Sequence, residues 1–147
     1  VRDGLECVCI DHWQSTRPTK IKSGAGSRRK LHAGASCKLL VDHAPPEVKH
    51  ALLNSELMRY SKNTITQRSK LAQELSKIIS EGFASSDGEI TPDVMAIAVP
   101  IFDAQNEVVA ALSLAGAKLR FDEQHAHYLQ RLNHYADLIS SALKTVA

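Results

Sequence analysis

Residues 93–116, DVMAIAVPIFDAQNEVVAALSLAG, constrain the fold of this chain more than any other stretch. Two runs, 94–102 and 107–115, are built from Val, Ile, Ala and Leu, and Asp103-Ala104-Gln105-Asn106 between them carries turn chemistry. The pattern predicts an antiparallel hairpin. Both runs are almost wholly apolar, which predicts a place at the centre of a sheet with little water on either face. Small residues (Ala96, Ala98, Ala110, Ala111, Ser113, Ala115) alternate with larger ones. Strands lined this way leave room, to be filled by a packed helix or by a small ligand.

The rest of the chain supplies short strands and amphipathic helices. Residues 5–13 are β-branched enough for a strand, on which period-two alternation puts Cys7 and Cys9 on one face and His12 on the other. Residues 15–18 suggest a turn, 19–22 a short exposed strand and 23–30 a flexible basic loop. A helix is expected over the second half of 31–41. Another begins at Pro45-Pro46-Glu47, because Pro is tolerated where its missing N–H is not needed; its apolar positions are Val48, Ala51 and Leu52. Thr66 is placed as N-cap of a third helix with Leu71, Leu75, Ile78 and Ile79 on its apolar face, closed by Gly82 in the left-handed conformation. Residues 83–90 read as an extended polar segment. Asp122 is placed as the cap of a long helix whose stripe runs through Tyr128, Leu132, Tyr135, Ile139 and Ala142, widened by Leu129, Ala136 and Leu143. Strands, helices, strand pair, helix is an α+β order without βαβ alternation.

Composition narrows the function classes. At 147 residues, 44% hydrophobic and 23% charged, the chain suits one globular domain with a single core. No run approaches the roughly 18 apolar residues of a membrane helix, and no signal-peptide pattern is visible. The 18 basic and 16 acidic residues, net +2, leave no general nucleic-acid footprint. Three cysteines argue against a disulfide framework and for a reducing, cytoplasmic setting. The chain opens at Val1 without an initiator Met, and Asp3-Gly4 resembles a hairpin turn lacking its first strand, so a fragment is expected.

The candidate chemical clusters are weak. Cys7-x-Cys9-x-x-His12 lacks the second ligand pair of a zinc site, and a buried free Cys behaves as a small hydrophobe. His32 and Cys37 sit about 140° apart around a helix and lack an orienting third group, which disfavours covalent catalysis. His125, His127 and His134, with Asp137, read as solvated. The SSDGE segment at 85–89 is either a solvated loop or the mouth of the small-residue cavity, where Ser86 or Asp87 would hydrogen-bond a polar ligand. Lys20, Lys22, Arg28, Arg29 and Lys30 form a local basic patch suited to solvation or to steering an anion. No enzyme is expected, and no metal or cofactor is called for.

Several segments together resemble one family. They are RDGLECVCID (2–11), Gly26-Ser27-Arg28 with Leu31-His32-Ala33, Lys38-Leu39-Leu40, Gly82-Phe83-Ala84, Asp87-Gly88-Glu89, AIAVPIFD (96–103) and VVAALSLAG (108–116). In this order they resemble the C-terminal effector-binding domain of the IclR family of bacterial transcriptional regulators, a GAF-like α+β fold, over essentially the whole chain. The resemblance implies an antiparallel sheet with helices packed over it, and one effector-binding domain over 1–147. It also implies an N-terminal winged helix-turn-helix, the DNA-binding part, absent from this sequence.

The same resemblance implies a dimer or tetramer and a small organic acid effector held between the sheet and the helix after the LHA motif. The positions that match are Ala35 and Ser36 on the helix, Ser86 and Asp87 on the loop, and Ala96, Ser113 and Ala115 on the strands. Four positions depart from the family pattern: Cys37 replaces a glycine, Ala96 a frequent cysteine, Ala115 a serine and Asp93 a glycine. Fewer polar groups favour a larger or more apolar effector, such as an aromatic acid, over a very small oxoacid. The alternative is an oligomerisation module whose pocket Cys37 has narrowed until nothing binds.

Overall fold

The computed structural model describes residues 1–16, 21 and 24–146. In chain order the elements are β1 (Arg2–Asp3), β2 (Glu6–Val8), β3 (Arg28–Lys30), α1 (Ala35–Asp42), α2 (Pro46–Leu53) and α3 (Arg68–Glu81). They continue with β4 (Ala84–Asp87), β5 (Val94–Phe102), β6 (Val108–Ala117) and α4 (Lys118–Val146). The strands form two three-stranded sheets, β1-β2-β3 and β4-β5-β6, with every pairing antiparallel. The architecture is α+β, as the element order predicts.

The β5–β6 hairpin forms where the sequence places it, and its turn explains why. The Asp103 carboxylate accepts hydrogen bonds from the amides of Gln105 and Glu107, both at 2.9 Å, while Asn106 takes a positive φ of 64°. Asn tolerates that conformation better than branched residues do. The expectation of a central hairpin holds for β5 only. Among the described residues β6 is an edge strand, and Ser113, Leu114 and Ala115 are exposed on it. An apolar run is compatible with either position, so the sequence did not separate them.

The second sheet separates two cores. Ala84, Ala96, Ala98 and Ala111 pack with Leu31, Leu39, Leu71 and Leu75 beneath α1 and α3. Ile97, Val99 and Ile101 face the other way, onto Phe121, Leu132 and Ala136 of α4. Period-two alternation along β5 makes this division: small residues lie under α1 and large branched ones under α4. Each fully buried Leu contributes about 1.5–3 kcal/mol of transfer free energy. The Ser140 hydroxyl fixes α4 to the end of β5, accepting from the Phe102 amide at 3.0 Å and donating to the Ala136 carbonyl at 2.8 Å.

Several local expectations change. Residues 28–30 are strand rather than loop, because Arg28 and Lys30 pair with Asp3 and Glu6 across the first sheet. The strand expected over 5–13 is confined to β2. Gln67, not Thr66, occupies the N-cap of α3; the Thr66 hydroxyl instead accepts from Arg59. Ile79 is exposed, since α3 buries only the stripe Leu71, Leu75 and Ile78.

Asp122 lies inside α4, not at its cap, and the helical dihedrals break at Gln124 (φ −130°, ψ 17°). Beyond that break Leu132, Ala136 and Ser140 are buried while Tyr135, Ile139 and Leu143 face outward. Gly82 does close α3 in the left-handed conformation, and Pro46 opens α2. The strand expected over 19–22 falls largely outside the described residues, as do Lys20 and Lys22 of the basic patch.

Candidate functional site

Cross-strand register gathers most of the candidate site residues. Ser86 of β4 lies opposite Ala96 of β5, which lies opposite Ala115 of β6; the next row is Ala84, Ala98 and Ser113. Residues directly opposite in an antiparallel pair point to the same side. Ser86, Ala96, Ser113 and Ala115 therefore share the face that carries α1, whose first residues are Ala35 and Ser36. The row is covered at its β4 end, where Ser86 is buried, and open at its β6 end, where Ser113 and Ala115 are exposed.

Asp87 is the exception among the expected residues. It pairs with Met95, so alternation turns its side chain to the α4 face, where its carboxylate binds Lys118. That hydrogen bond raises the Lys118 pKa above its ordinary value. Ala35 is buried and Ser36 half-buried.

The loop after β4 is fixed by Lys38 and Glu89, which the sequence reading quoted only within family-like segments and did not place at the site. Lys38 is fully buried on α1, and its ammonium donates to Glu89 at 2.5 Å and to Glu74 of α3 at 2.8 Å. The second Glu89 oxygen accepts from the Gly34 amide at 2.9 Å, at the N-terminus of α1. Thr64 donates to the Glu89 carbonyl at 2.7 Å and Ser61 to the Gly88 carbonyl at 2.5 Å. The helix, the loop and the 61–64 segment thus form one hydrogen-bonded frame around the covered end of the row. The available signal was a Lys inside an otherwise apolar helix face, which demands a buried counter-charge.

The remaining candidates resolve into packing. His32 is buried, stacks on Tyr60 with ring centres 5.7 Å apart, and contacts the Met58 carbonyl through Nε2 at 2.7 Å. Its Nδ1 has no hydrogen-bond partner among the described residues, so no His–Cys nucleophile arrangement forms with Cys37. His125 packs edge-on against Phe83, while His127 and His134 are exposed. Among the described residues no three of His, Cys, Asp and Glu gather as metal ligands.

Among the recesses on the surface of the described residues, two bear on this arrangement. The larger, about 250 Å³, is lined by Leu5, Lys30, Leu52, Ser55, Glu56 and Met58, away from the small-residue row. The smaller, about 100 Å³, reaches Ala115 along with Gly116, Phe121 and Tyr128. The row itself forms a shelf, closed over at Ser86 and open to solvent at Ser113 and Ala115.

Residues 1–141 match the family model described as the C-terminal domain of bacterial transcriptional regulator IclR. The chain belongs to the IclR family. It is 31% identical over 130 residues to the HTH-type transcriptional regulator KipR of Bacillus subtilis, covering 88% of this chain and 52% of KipR. The IclR structure of Thermotoga maritima superposes with a TM-score of 0.89 at 32% identity, over 97% of this chain and 59% of that one. An IclR homologue from Microbacterium hydrocarbonoxydans, solved in complex with 4-hydroxybenzoate, has a TM-score of 0.91 at 26% identity, over 99% of this chain and 59% of that one. The chain spans about half the length of the curated relatives it matches. Those relatives are named as transcriptional regulators, not as enzymes. None of the described helices is long and apolar enough to cross a membrane.

Proposed function

We propose that this chain is the effector-sensing domain of a cytoplasmic IclR-type DNA-binding regulator, and that its effector is a small organic acid, aromatic acids being favoured. The observation that carries the reading is the small-residue shelf beneath α1. Its floor is methyl groups, Ala96 and Ala115, with hydroxyls at Ser86 and Ser113 on opposite sides. An apolar floor with few, spaced polar groups suits a flat apolar body carrying polar substituents. The first-turn amides of α1, at Ala35 and Ser36, offer donors to a carboxylate. The 4-hydroxybenzoate bound by the Microbacterium relative fits the same chemical class.

In this reading the DNA-binding domain precedes the chain in the intact protein, which assembles as a dimer or tetramer. Effector binding shifts the balance between two arrangements of the sensor, and DNA affinity changes only as far as the effector prefers one of them.

A thermal-shift screen of aliphatic and aromatic acids tests the reading. A ligand at about 100 times its dissociation constant adds roughly 2.7 kcal/mol, a shift of several degrees. A saturable shift weakened by Ser113→Ala supports it; a flat panel with the chain folded opposes it.

One observation favours a second reading, an assembly module without a ligand. Leu138, Ile139 and Leu143 expose an apolar strip on α4, and such strips mark protein contacts when contiguous. A flat ligand panel, together with self-association abolished by Leu138→Glu, selects this reading.

A further inference from the structure

The recess of about 250 Å³ beside the first sheet carries one charge of each sign on apolar walls. Leu5, in the β1–β2 turn, and Lys30 of β3 form one wall; Leu52 of α2, with Ser55, Glu56 and Met58, forms the other. Its volume lies just below the roughly 300–1,000 Å³ of drug-sized sites, which suits a smaller molecule. Both charged groups have bonding capacity left. The Lys30 ammonium uses one of its three donors on Glu6, at 3.0 Å. The Glu56 carboxylate has no hydrogen bond or ion pair among the described residues, and Lys30 does not reach it. The second wall is held in place. Residues 54–67, between α2 and α3, carry neither helix nor strand, and irregular loops of that length are mostly either functional or disordered. This one is fixed: His32 Nε2 binds the Met58 carbonyl at 2.7 Å, and the Ser55 hydroxyl donates to the Leu52 carbonyl at 2.8 Å. Ser61 and Thr64 tie its far end to the Gly88 and Glu89 carbonyls.

We propose that this recess is a second ligand site, and that it takes a small zwitterion with an apolar side chain, the class of the free aliphatic amino acids. The ligand carboxylate pairs with Lys30 and its ammonium with Glu56. Its side chain covers Leu5 and Met58, which are otherwise exposed, and rests on Leu52. A carboxylic acid without an ammonium group meets Lys30 but also faces the Glu56 carboxylate, so the recess and the small-residue shelf select different chemistry. The inference stands independently of whether the shelf binds an effector.

An NMR titration of the methyl-labelled chain with L-leucine as the probe tests the proposal. Saturable shifts are expected at the Leu5, Leu52 and Met58 methyls, with the Ala96 and Ala115 methyls unmoved. N-acetyl-L-leucine, which lacks the ammonium, and L-leucinamide, which lacks the carboxylate, should each bind about fivefold more weakly, the upper worth of an exposed ion pair. Glu56→Gln should weaken L-leucine by the same factor without weakening N-acetyl-L-leucine. Lys30→Gln should weaken L-leucine without weakening L-leucinamide. The three ligands compared on the parent chain decide the matter even where a variant folds poorly. No saturable shift with L-leucine, shifts centred on Ala96 and Ala115, or N-acetyl-L-leucine bound as tightly as L-leucine would each overturn the proposal.

Discussion

Lys38 and Glu89, 51 positions apart in the chain, meet at 2.5 Å with both side chains buried. The contact joins α1 to the loop after β4, the two elements that border the small-residue shelf. Because Glu89 also takes the Gly34 amide, one carboxylate sets both the start of the helix and the end of the strand. The shelf geometry therefore depends on a charge pair that does not itself line it.

Removing one partner of a buried pair leaves an uncompensated charge, at a cost of about 3–5 kcal/mol. Lys38→Met should destabilise the chain by that amount in urea unfolding, and adding Glu89→Gln should recover part of it. A Lys38→Met chain as stable as the parent would show that the pair contributes no more than an exposed one.

Gly88 holds that loop at a φ of +64°, and a Cβ there would lie 2.9 Å from Asn63 Nδ2. Gly82 has a φ of +77° with nothing within 4 Å of such a Cβ. Both alanine substitutions incur the left-handed penalty, about 1–2 kcal/mol. Gly88→Ala should cost more than Gly82→Ala, and Asn63→Ala as background should remove the excess. Equal losses in the parent background would mean that Asn63 yields freely.

Asp42 gives stability a pH dependence. Burial raises its pKa above the ordinary 3.8, despite Lys49 at 3.5 Å, and Oδ2 has no hydrogen-bond partner among the described residues. A carboxyl whose folded-state pKa exceeds its unfolded value binds its proton more tightly when folded. Its contribution is thus greatest at low pH and is lost as pH rises through the folded value. Asp42→Asn should gain stability relative to the parent as pH increases through the range above 3.8, then hold a constant advantage. A difference that does not vary with pH would remove Asp42 as the cause.

Much of the fold was legible because the deciding forces were local. Asp103 and Asn106 announce the β5–β6 turn, Gly82 the end of α3, and the period of Leu71, Leu75 and Ile78 its buried face. The alternation of Ala96 and Ala98 with Ile97 and Val99 anticipates a shelf beneath one layer and a packed core beneath the other. The misses arose from tertiary placement. Ile79, Tyr135 and Ile139 continue an apolar pattern, yet nothing in the described structure covers them. The backbone break at Gln124 interrupts α4 without any Pro or Gly to mark it. The family resemblance places the loop acid at or beside Ser86 and Asp87, and strand alternation sends these two to opposite faces. The Lys38–Glu89 contact depends on elements far apart in the chain, and no spacing rule foretells such a meeting.

The most direct test of the sensing account is an NMR titration of the isotope-labelled chain with 4-hydroxybenzoate as the probe acid. Saturable shifts centred on Ser86, Ala96, Ser113 and Ala115, extending to Ala35 and Ser36 and abolished by Ala96→Leu, are predicted. Shifts confined to the recess around Lys30 and Met58, or no shifts with this acid or other aromatic and aliphatic acids, would contradict the assignment of the shelf as the effector site.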